Sequence, residues 1–283
     1  MGLIVVSGAT GRLGGRVAGR LAADGVALRL LVRDAGRAPK LDGAEVAEAE
    51  YGDSGAVREA LSGAETVLMV SASESPDRVD RHKAFVDAAV AAGVGQVVYT
   101  SFVGASRDAV FTLARDHGAT EEYIRESGLR FTFLRDNLYA DFLPFLVGED
   151  GVIRGPAGDG RAAVVAQEDI AEVAVAVLRD PESHAGRTYD LTGPQALTFA
   201  EIAAVVSEAT GRPVSFQDES LPEAYASRAS YGAPDWQVDA WVSTYTAVAA
   251  GDLAGVSSAV ADLTGRPATT LAALLARWGR AHG

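Results

Sequence analysis

The sequence predicts an α/β fold built on a doubly wound parallel sheet, with a smaller, partly interleaved C-terminal lobe. Two observations lead to this prediction. Six apolar strand candidates alternate with helical segments, at residues 3–6, 26–32, 44–49, 66–70, 96–101 and 129–134. Such alternation is typical of a parallel sheet covered by helices on both faces. Beyond residue 140 the pattern changes: the glycine-rich segment 148–160 is interpreted as a loop or hairpin, and helical segments predominate from residue 215.

The first strand candidate runs directly into a glycine-rich turn and a helix. Gly8, Gly11 and Gly14 recur every three residues in the segment MGLIVVSGATGRLGG. Glycine permits a tight turn and lets a pyrophosphate approach the backbone, and the helix N-terminus presents N–H groups to the phosphates. The strand–turn–helix context disfavours the alternative, a glycine-rich hairpin. The motif predicts a Rossmann-type NAD(P)-binding domain over residues 1–140 and a smaller substrate lobe over residues 141–283.

The residue that follows the second strand candidate bears on the choice of cofactor. In a nucleotide-binding crossover this position lies beside the adenosine ribose, where an acidic residue suits NAD and an arginine suits the 2′-phosphate of NADP. The strand ends in Arg33-Asp34, and Arg12 in the glycine turn is a second candidate cation. The register is open by one residue, and Arg33 as a solvated strand end is the alternative. We expect a preference for NADP(H) over NAD(H).

Residues at the strand exits are expected to share one edge of the sheet. Ligands of doubly wound sheets bind beyond the carboxyl ends of the strands. The segment from Gly8 to Gly14 together with Arg33, Asp53, Ser71 and Ser101 follows five of the strand candidates. This edge is therefore the predicted cofactor site.

Composition restricts the class of function. The net charge of −13 disfavours binding to nucleic acid, and the absence of cysteine removes disulfides and thiolate chemistry. No run of eighteen apolar residues occurs, so no membrane span is expected, and the early glycine motif leaves no room for a signal peptide. We expect a cytoplasmic protein without a metal site. Its expected partner is a small-molecule substrate rather than a nucleic acid or membrane, and a homodimer is compatible with the sequence.

One common catalytic pair is missing. Many short-chain dehydrogenases use Tyr-x-x-x-Lys, in which the lysine lowers the pKa of a proton-donating tyrosine. Lysine occurs only at positions 40 and 83, so none of the eight tyrosines has a lysine four residues later. Chemistry that needs this pair, such as that of a sugar-nucleotide epimerase or dehydratase, is disfavoured.

Several segments together resemble the atypical short-chain dehydrogenase/reductase group. They are GATGRLGG, LLVRD, QVVYTS, HGATEEYIRESGLRFTFLRDNLYADF and DIAEVAVAVL. Within the group they are most similar to NmrA-like proteins and the type 2 NAD(P)H:quinone oxidoreductases, over roughly the first two hundred residues. The most specific feature is the pair Thr120-Glu121 ahead of the strand S-G-L-x-x-T-x-L-R. The resemblance implies direct hydride transfer from NADPH to a quinone-like or other conjugated acceptor, with water able to supply the proton.

The resemblance also implies roles for individual residues. The pyrophosphate would be held by Gly8, Thr10, Gly11, Arg12, Leu13 and Gly14, and the 2′-phosphate by Arg33. The nicotinamide side would be flanked by Ser71, Ala72, Ser73, Ser101, Phe102 and Val103, with Asp53 at the same cofactor edge. Asn137, Tyr139 and Phe142 are the expected substrate residues, although many relatives have asparagine at position 142.

Ser101 and His117 are the candidate catalytic residues. His117 matches a histidine of the quinone-reductase pattern and would orient the nicotinamide or donate to the acceptor oxygen. The alternative is a helix-terminal histidine beside Asp116. The whole protein also has an alternative function, because NmrA-like proteins include NADP-binding regulators that do not turn over a substrate.

Overall fold

The computed structural model describes residues 2–282 and contains a central sheet of seven parallel strands. The described residues form eleven strands, seven in this sheet and four in two small two-stranded sheets. In chain order they are β1 (Leu3–Ser7), β2 (Leu28–Val32), β3 (Ala44–Glu48), β4 (Ala64–Met69), β5 (Gln96–Phe102), β6 (Arg130–Asp136), β7 (Val152–Gly155), β8 (Arg161–Ala162), β9 (Arg187–Leu191), β10 (Leu197–Thr198) and β11 (Ser215–Asp218). The central sheet has the order β3-β2-β1-β4-β5-β6-β9. The six predicted strands are all present, and the strand order reverses between β1 and β4, which is where ligands bind in such sheets.

Helices cover both faces of this sheet. They are α1 (Arg12–Ala23), α2 (Ser54–Ala60), α3 (Arg78–Ala92), α4 (Thr112–Glu126), α5 (Gln167–Arg179), α6 (Phe199–Thr210), α7 (Leu221–Arg228), α8 (Asp235–Ala249), α9 (Ala259–Thr264) and α10 (Leu271–His282). One apolar core lies between the sheet and α1, α5 and α9, and a second lies between the sheet and α2, α3 and α4. The doubly wound α/β prediction is confirmed.

A smaller lobe forms around a third apolar core. This core combines the segment Ala140–Leu146 with α6, α8 and α10. Helix α5 and strand β9 lie between these elements in the chain, yet they pack on and join the central sheet, so the two parts are interleaved.

Two predictions in this lobe were wrong. The segment 148–160, interpreted as loop or hairpin, contains β7, and residues 215–218, expected to be helical, form β11. These two strands pair with each other in parallel, from Ser215 opposite Val152 to Asp218 opposite Gly155. Each has only four residues and its partner is distant in the chain, so neither produces a periodic signal that a sequence pattern can detect.

Candidate functional site

Strand register brings the predicted cofactor residues to one edge of the sheet. Ser7 at the end of β1 lies opposite Leu31 of β2, and Met69 at the end of β4 lies opposite Tyr99 of β5. Further along, Phe102 at the end of β5 pairs with Asp136 at the end of β6. The turns that follow these strands therefore leave the sheet side by side.

The glycine turn has the backbone geometry that a phosphate site needs. Gly8 has a φ of 62°, which favours glycine, and a Cβ on Gly14 would overlap the carbonyl oxygens of Gly8 and Ser7. Helix α1 begins immediately afterwards, with Gly11 as its N-cap, no side-chain cap and no acidic residue in its first turn. Its first amide groups have no carbonyl within the helix to accept their hydrogens, which suits an anion.

The residues of this turn differ in what they expose. Thr10, Gly11 and Arg12 are exposed, whereas the side chain of Leu13 is buried in the core. Only the backbone amide of Leu13 is therefore available to a phosphate. The guanidinium of Arg12 lies 5.4 Å from the ring centre of Phe142, a cation–π contact that links the glycine turn to the smaller lobe.

Arg33 and Asp34 have different surroundings. The Oδ1 atom of Asp34 accepts a hydrogen bond of 2.9 Å from the backbone N–H of Gly36, within the turn after β2. Arg33 is exposed directly beyond the end of β2, and it forms no ion pair with another residue of the described range 2–282. Because Asp34 is used by the turn, Arg33 is the residue at this strand end whose charge is available to a ligand.

The turn after β3 carries Asp53 and Tyr51. Asp53 is exposed, and its Oδ1 atom accepts a hydrogen bond of 3.0 Å from the Ala56 N–H, so this carboxylate caps α2. The hydroxyl of Tyr51 donates to the Val70 carbonyl at 2.6 Å and contacts Ser7 Oγ, while burial raises the pKa of Tyr51. Tyr51 was not singled out in the sequence, and it ties the exits of β1 and β4 together.

Buried side chains hydrogen-bond to the backbone of the segment Ser71 to Ser73. Ser71 donates its N–H to Thr100 Oγ1 at 2.8 Å, and Ala72 donates its N–H to Nε2 of His82 at 2.9 Å. The carbonyl of Ala72 accepts a hydrogen bond of 2.9 Å from Nε of Arg78. Both polar groups of the Ala72 backbone are therefore fixed at the predicted nicotinamide edge.

The tautomer of His82 follows from its partners. Since its Nε2 accepts from Ala72, the ring proton lies on Nδ1, which is 2.8 Å from Thr120 Oγ1. Thr120 in turn donates to the Asp116 carbonyl. Burial, with a contribution from the charge of Arg78, lowers the pKa of His82 to about 3, so the ring is neutral.

His117 belongs to the same buried network. It lies within α4 rather than at its end, with Nε2 3.1 Å from Nη2 of Arg78 and Nδ1 2.9 Å from the hydroxyl of Tyr99. An arginine can only donate, so Nε2 accepts and the ring proton lies on Nδ1. Burial, followed by the charge of Arg78, holds the pKa of His117 well below its ordinary value. Both ring nitrogens are already bonded inside the protein.

Ser101 directs its hydroxyl to a buried carboxylate. Its Oγ atom donates to Glu121 Oε1 at 2.6 Å, and Glu121 is 1% exposed. Arg135 binds both carboxylate oxygens, at 2.8 and 2.7 Å. Glu121 therefore joins α4 to the ends of β5 and β6. Beside it, Phe102 and Val103 are half-buried, and the Phe102 ring packs against Phe111.

The three expected substrate residues occupy different environments. Asn137 is fully buried, and its amide donates to the Leu253 carbonyl at 3.0 Å and accepts from the Leu138 N–H at 2.7 Å. Tyr139 is half-buried, whereas Phe142 is 43% exposed beneath Arg12. Asn137 thus connects the sheet to the smaller lobe, and the ring centre of Tyr139 lies 5.9 Å from that of Phe142.

Asp136 has an unusual environment for an aspartate. It is 1% exposed at the end of β6, its Oδ2 lies 2.8 Å from the Tyr139 hydroxyl, and its Oδ1 has no hydrogen-bond partner within the described residues. Burial raises its pKa to about 8, opposed only in part by the bond to Tyr139. The carboxyl group is therefore largely neutral at neutral pH.

Sequence reasoning missed four polar residues under the edge, namely the half-buried Tyr51 and the buried Arg78, Tyr99 and Asp136. Asp136 directly precedes Asn137 at a strand exit, and this position is the one signal that would have found it.

Across residues 2–282 no helix is long and apolar enough to cross a membrane, and no group of three His, Asp or Glu side chains is placed to hold a metal ion.

Comparison with known proteins places the chain in a family. The profile of the NmrA-like family matches residues 1–233. The chain belongs to this family. Among its relatives is quinone oxidoreductase 2 of Escherichia coli, 34% identical over 277 residues that cover 95% of this chain and 96% of the relative. The NAD(P)H azoreductase of Xenophilus azovorans is 34% identical over 275 residues, with the same coverage of 95% and 96%.

Solved structures of family members superpose closely. The E. coli quinone oxidoreductase complexed with NADPH gives a TM-score of 0.88 at 33% identity, covering 97% of this chain and 99% of that one. The triphenylmethane reductase of Citrobacter sp. complexed with NADP(H) gives a TM-score of 0.86 at 31% identity, covering 98% and 99%. The NmrA-like resemblance expected from the sequence motifs is confirmed.

Proposed function

We propose that the protein is an NADPH-dependent reductase that transfers a hydride to a quinone-like or other conjugated small molecule. The observation that carries the proposal is the uncapped N-terminus of α1 behind the glycine turn, on the same edge as the exposed Arg33. A dinucleotide with a 2′-phosphate needs both an amide-rich turn and a cation at the end of β2. The related quinone oxidoreductase and azoreductase support a conjugated acceptor.

The glycine turn fits the cofactor because its glycines let α1 start close against the end of β1 and leave the N-terminus of the helix without a capping side chain. Gly14 leaves no room for a Cβ, and Gly11 caps α1 without a side chain. In this proposal the amides of Arg12 and Leu13 and the hydroxyl of Thr10 bind the pyrophosphate. Arg33 binds the 2′-phosphate. Bound NADPH would supply the hydride.

The nicotinamide side is formed by the segments 71–73 and 101–103. We propose that His117 and Ser101 act as positioning residues there, because His117 is bonded to Arg78 and Tyr99, and the Ser101 hydroxyl is bonded to Glu121. Through Arg78, His117 supports the Ala72 carbonyl. Asp53, which caps α2, positions the turn after β3 in the same way.

The decisive experiment measures turnover and binding on one preparation. Purified protein is mixed with NADPH and a panel of quinones, and the absorbance of the reduced nicotinamide is followed; binding of NADPH is measured separately by protein fluorescence. Oxidation of NADPH that depends on a quinone is the expected result. Binding without oxidation for every acceptor would instead support the alternative, an NADP-binding regulator without turnover.

A further inference from the structure

The carboxyl group of Asp136 stands out among the buried polar groups at the sheet edge. It lies at the carboxyl end of β6, opposite Phe102 at the end of β5, and Oδ1 has no hydrogen-bond partner within residues 2–282. Burying a polar atom without a partner is costly, and burying an unpaired carboxylate costs considerably more. A neutral carboxylic acid is the form that this environment tolerates.

The neutral form changes the direction of the bond to Tyr139. A carboxylic acid carries one hydrogen, and the hydroxyl 2.8 Å from Oδ2 is an acceptor that can receive it. When Asp136 donates to Tyr139 Oη, the hydrogen of the Tyr139 hydroxyl is released for another acceptor. Asp136 can thus give Tyr139 a proton to replace one that Tyr139 donates.

The position of Tyr139 suits a donor at the substrate edge. Its ring centre is 5.9 Å from that of Phe142, which lies beneath Arg12 of the glycine turn. The charge of Arg78 opposes the rise in the pKa of Tyr139 that burial causes. Tyr139 therefore lies close to Phe142 and the glycine turn and within the electrostatic reach of Arg78.

We propose that Tyr139, resupplied by Asp136, donates the proton that completes reduction of a quinone-type acceptor. The inference rests on the proposed function. A quinone that gains a hydride has taken up two electrons and carries a negative charge on one oxygen. The proton of the Tyr139 hydroxyl moves to that oxygen, Tyr139 takes the proton of Asp136, and the Asp136 carboxylate is reprotonated from solvent. The resemblance to relatives implies that water is able to supply this proton, and the relay assigns it to Tyr139 instead.

Two acceptors separate this role from a structural one. 1,4-Benzoquinone needs a proton after the hydride, whereas crystal violet, a cationic triphenylmethane dye, becomes a neutral product with the hydride alone. For Tyr139→Phe we expect a fall of about a hundredfold or more in kcat with the quinone, the range of a lost general acid, and a much smaller change in kcat with the dye. The Tyr123→Phe variant is the matched control, because its hydroxyl bonds to Asp87 on the outer surface of α3 and α4.

Asp136→Asn tests the second half of the relay. An amide can donate to Tyr139 but cannot give up a proton, so kcat with the quinone falls much more than kcat with the dye. With Asp136 in place the quinone rate declines as the pH rises past about 8, because the carboxyl group loses its proton. We expect this decline to disappear in Asp136→Asn.

The outcomes distinguish the relay from the proposed function. Equal losses with both acceptors in Tyr139→Phe, or no loss with either, overturn the relay while leaving a reductase. A wild-type protein that binds NADPH but reduces neither acceptor overturns the proposed function and the relay with it. Circular dichroism and NADPH binding of each variant verify that the fold is retained.

Discussion

Arg78 and His117 are joined by a contact of 3.1 Å in the interior between α3 and α4. Arg78 is 5% exposed, and its guanidinium also donates to the Ala72 carbonyl and lies 3.5 Å from the Asp116 carboxylate. One charged group thus connects a strand exit, two helices and the neutral histidine. This relationship explains how the loop at the predicted nicotinamide edge is held in place.

Replacing Arg78 is expected to destabilise the fold. In Arg78→Met the Ala72 carbonyl and His117 Nε2 lose their donor and Asp116 loses its cation, so we expect a loss of about 3 kcal/mol in the free energy of unfolding. Urea titration measures it. The control is Arg81→Met on the same helix, because the Arg81–Asp77 pair is exposed and its loss should leave the free energy of unfolding almost unchanged. Equal losses in the two variants would contradict the role of Arg78.

The two buried histidines are expected to make stability depend on pH. Burial lowers the pKa of His82 to about 3 and that of His117 well below its ordinary value, so both are neutral when folded. When unfolded they take up protons near about pH 6.5. Below that pH the unfolded state binds more protons, so the free energy of unfolding falls as the pH falls, by about 1.4 kcal/mol per pH unit for each histidine.

The measurement compares how steeply the free energy of unfolding changes with pH in each protein, rather than its absolute value. Urea unfolding of the wild type and of His117→Gln is followed from neutral pH down to about pH 5. The variant should lose the contribution of one histidine, and His82→Gln should lose that of the other. A slope that is unchanged in His117→Gln would show that this ring is protonated in the folded protein.

Periodic and conformational signals explain what could be predicted from the sequence. The strands of the central sheet are runs of apolar residues between helices, and the glycine turn has an unambiguous spacing, so the fold and the cofactor edge were predictable. Residues whose role depends on their burial could not be predicted from the sequence. Nothing near Arg78 in the sequence shows that an arginine at the start of an amphipathic helix is buried beneath a strand exit.

The same limit applies to the substrate edge. Asn137 and Asp136 are adjacent in sequence at the same strand exit, and the resemblance to relatives drew attention to Asn137. In the structure the amide of Asn137 binds the Leu253 carbonyl of the smaller lobe, while the neighbouring Asp136 holds the unpartnered oxygen. Alternation along a strand and the arrival of a distant segment decide which of the two side chains keeps an oxygen without a partner, and neither can be read from composition.

Packing at the glycine turn gives a prediction with a control on the same helix. In Gly14→Ala the new methyl group overlaps the carbonyl oxygens of Gly8 and Ser7, so we expect a loss of about 1–3 kcal/mol in stability and weaker NADPH binding. At Gly19, also in α1, an added Cβ meets nothing within 4 Å, so Gly19→Ala should stabilise the protein by about 0.4–1 kcal/mol. Thermal unfolding and fluorescence titration with NADPH measure both effects. The two substitutions are expected to change the free energy of unfolding in opposite directions. A stabilised Gly14→Ala would contradict the close packing of α1 on β1.

Arg33 is expected to determine the preference for NADPH. Its guanidinium is exposed beyond β2 and not paired with any of residues 2–282, so Arg33→Ala should remove charge-assisted bonds to the 2′-phosphate and leave the fold intact. Loss of such bonds corresponds to about a 10- to 100-fold rise in Kd for NADPH, with Kd for NADH unchanged because NADH has no 2′-phosphate. Arg58→Ala on the exposed surface of α2 controls for the change in net charge. Fluorescence titration of both cofactors against all three proteins gives the result, and an equal loss of affinity for NADH and NADPH in Arg33→Ala would assign the 2′-phosphate to another residue.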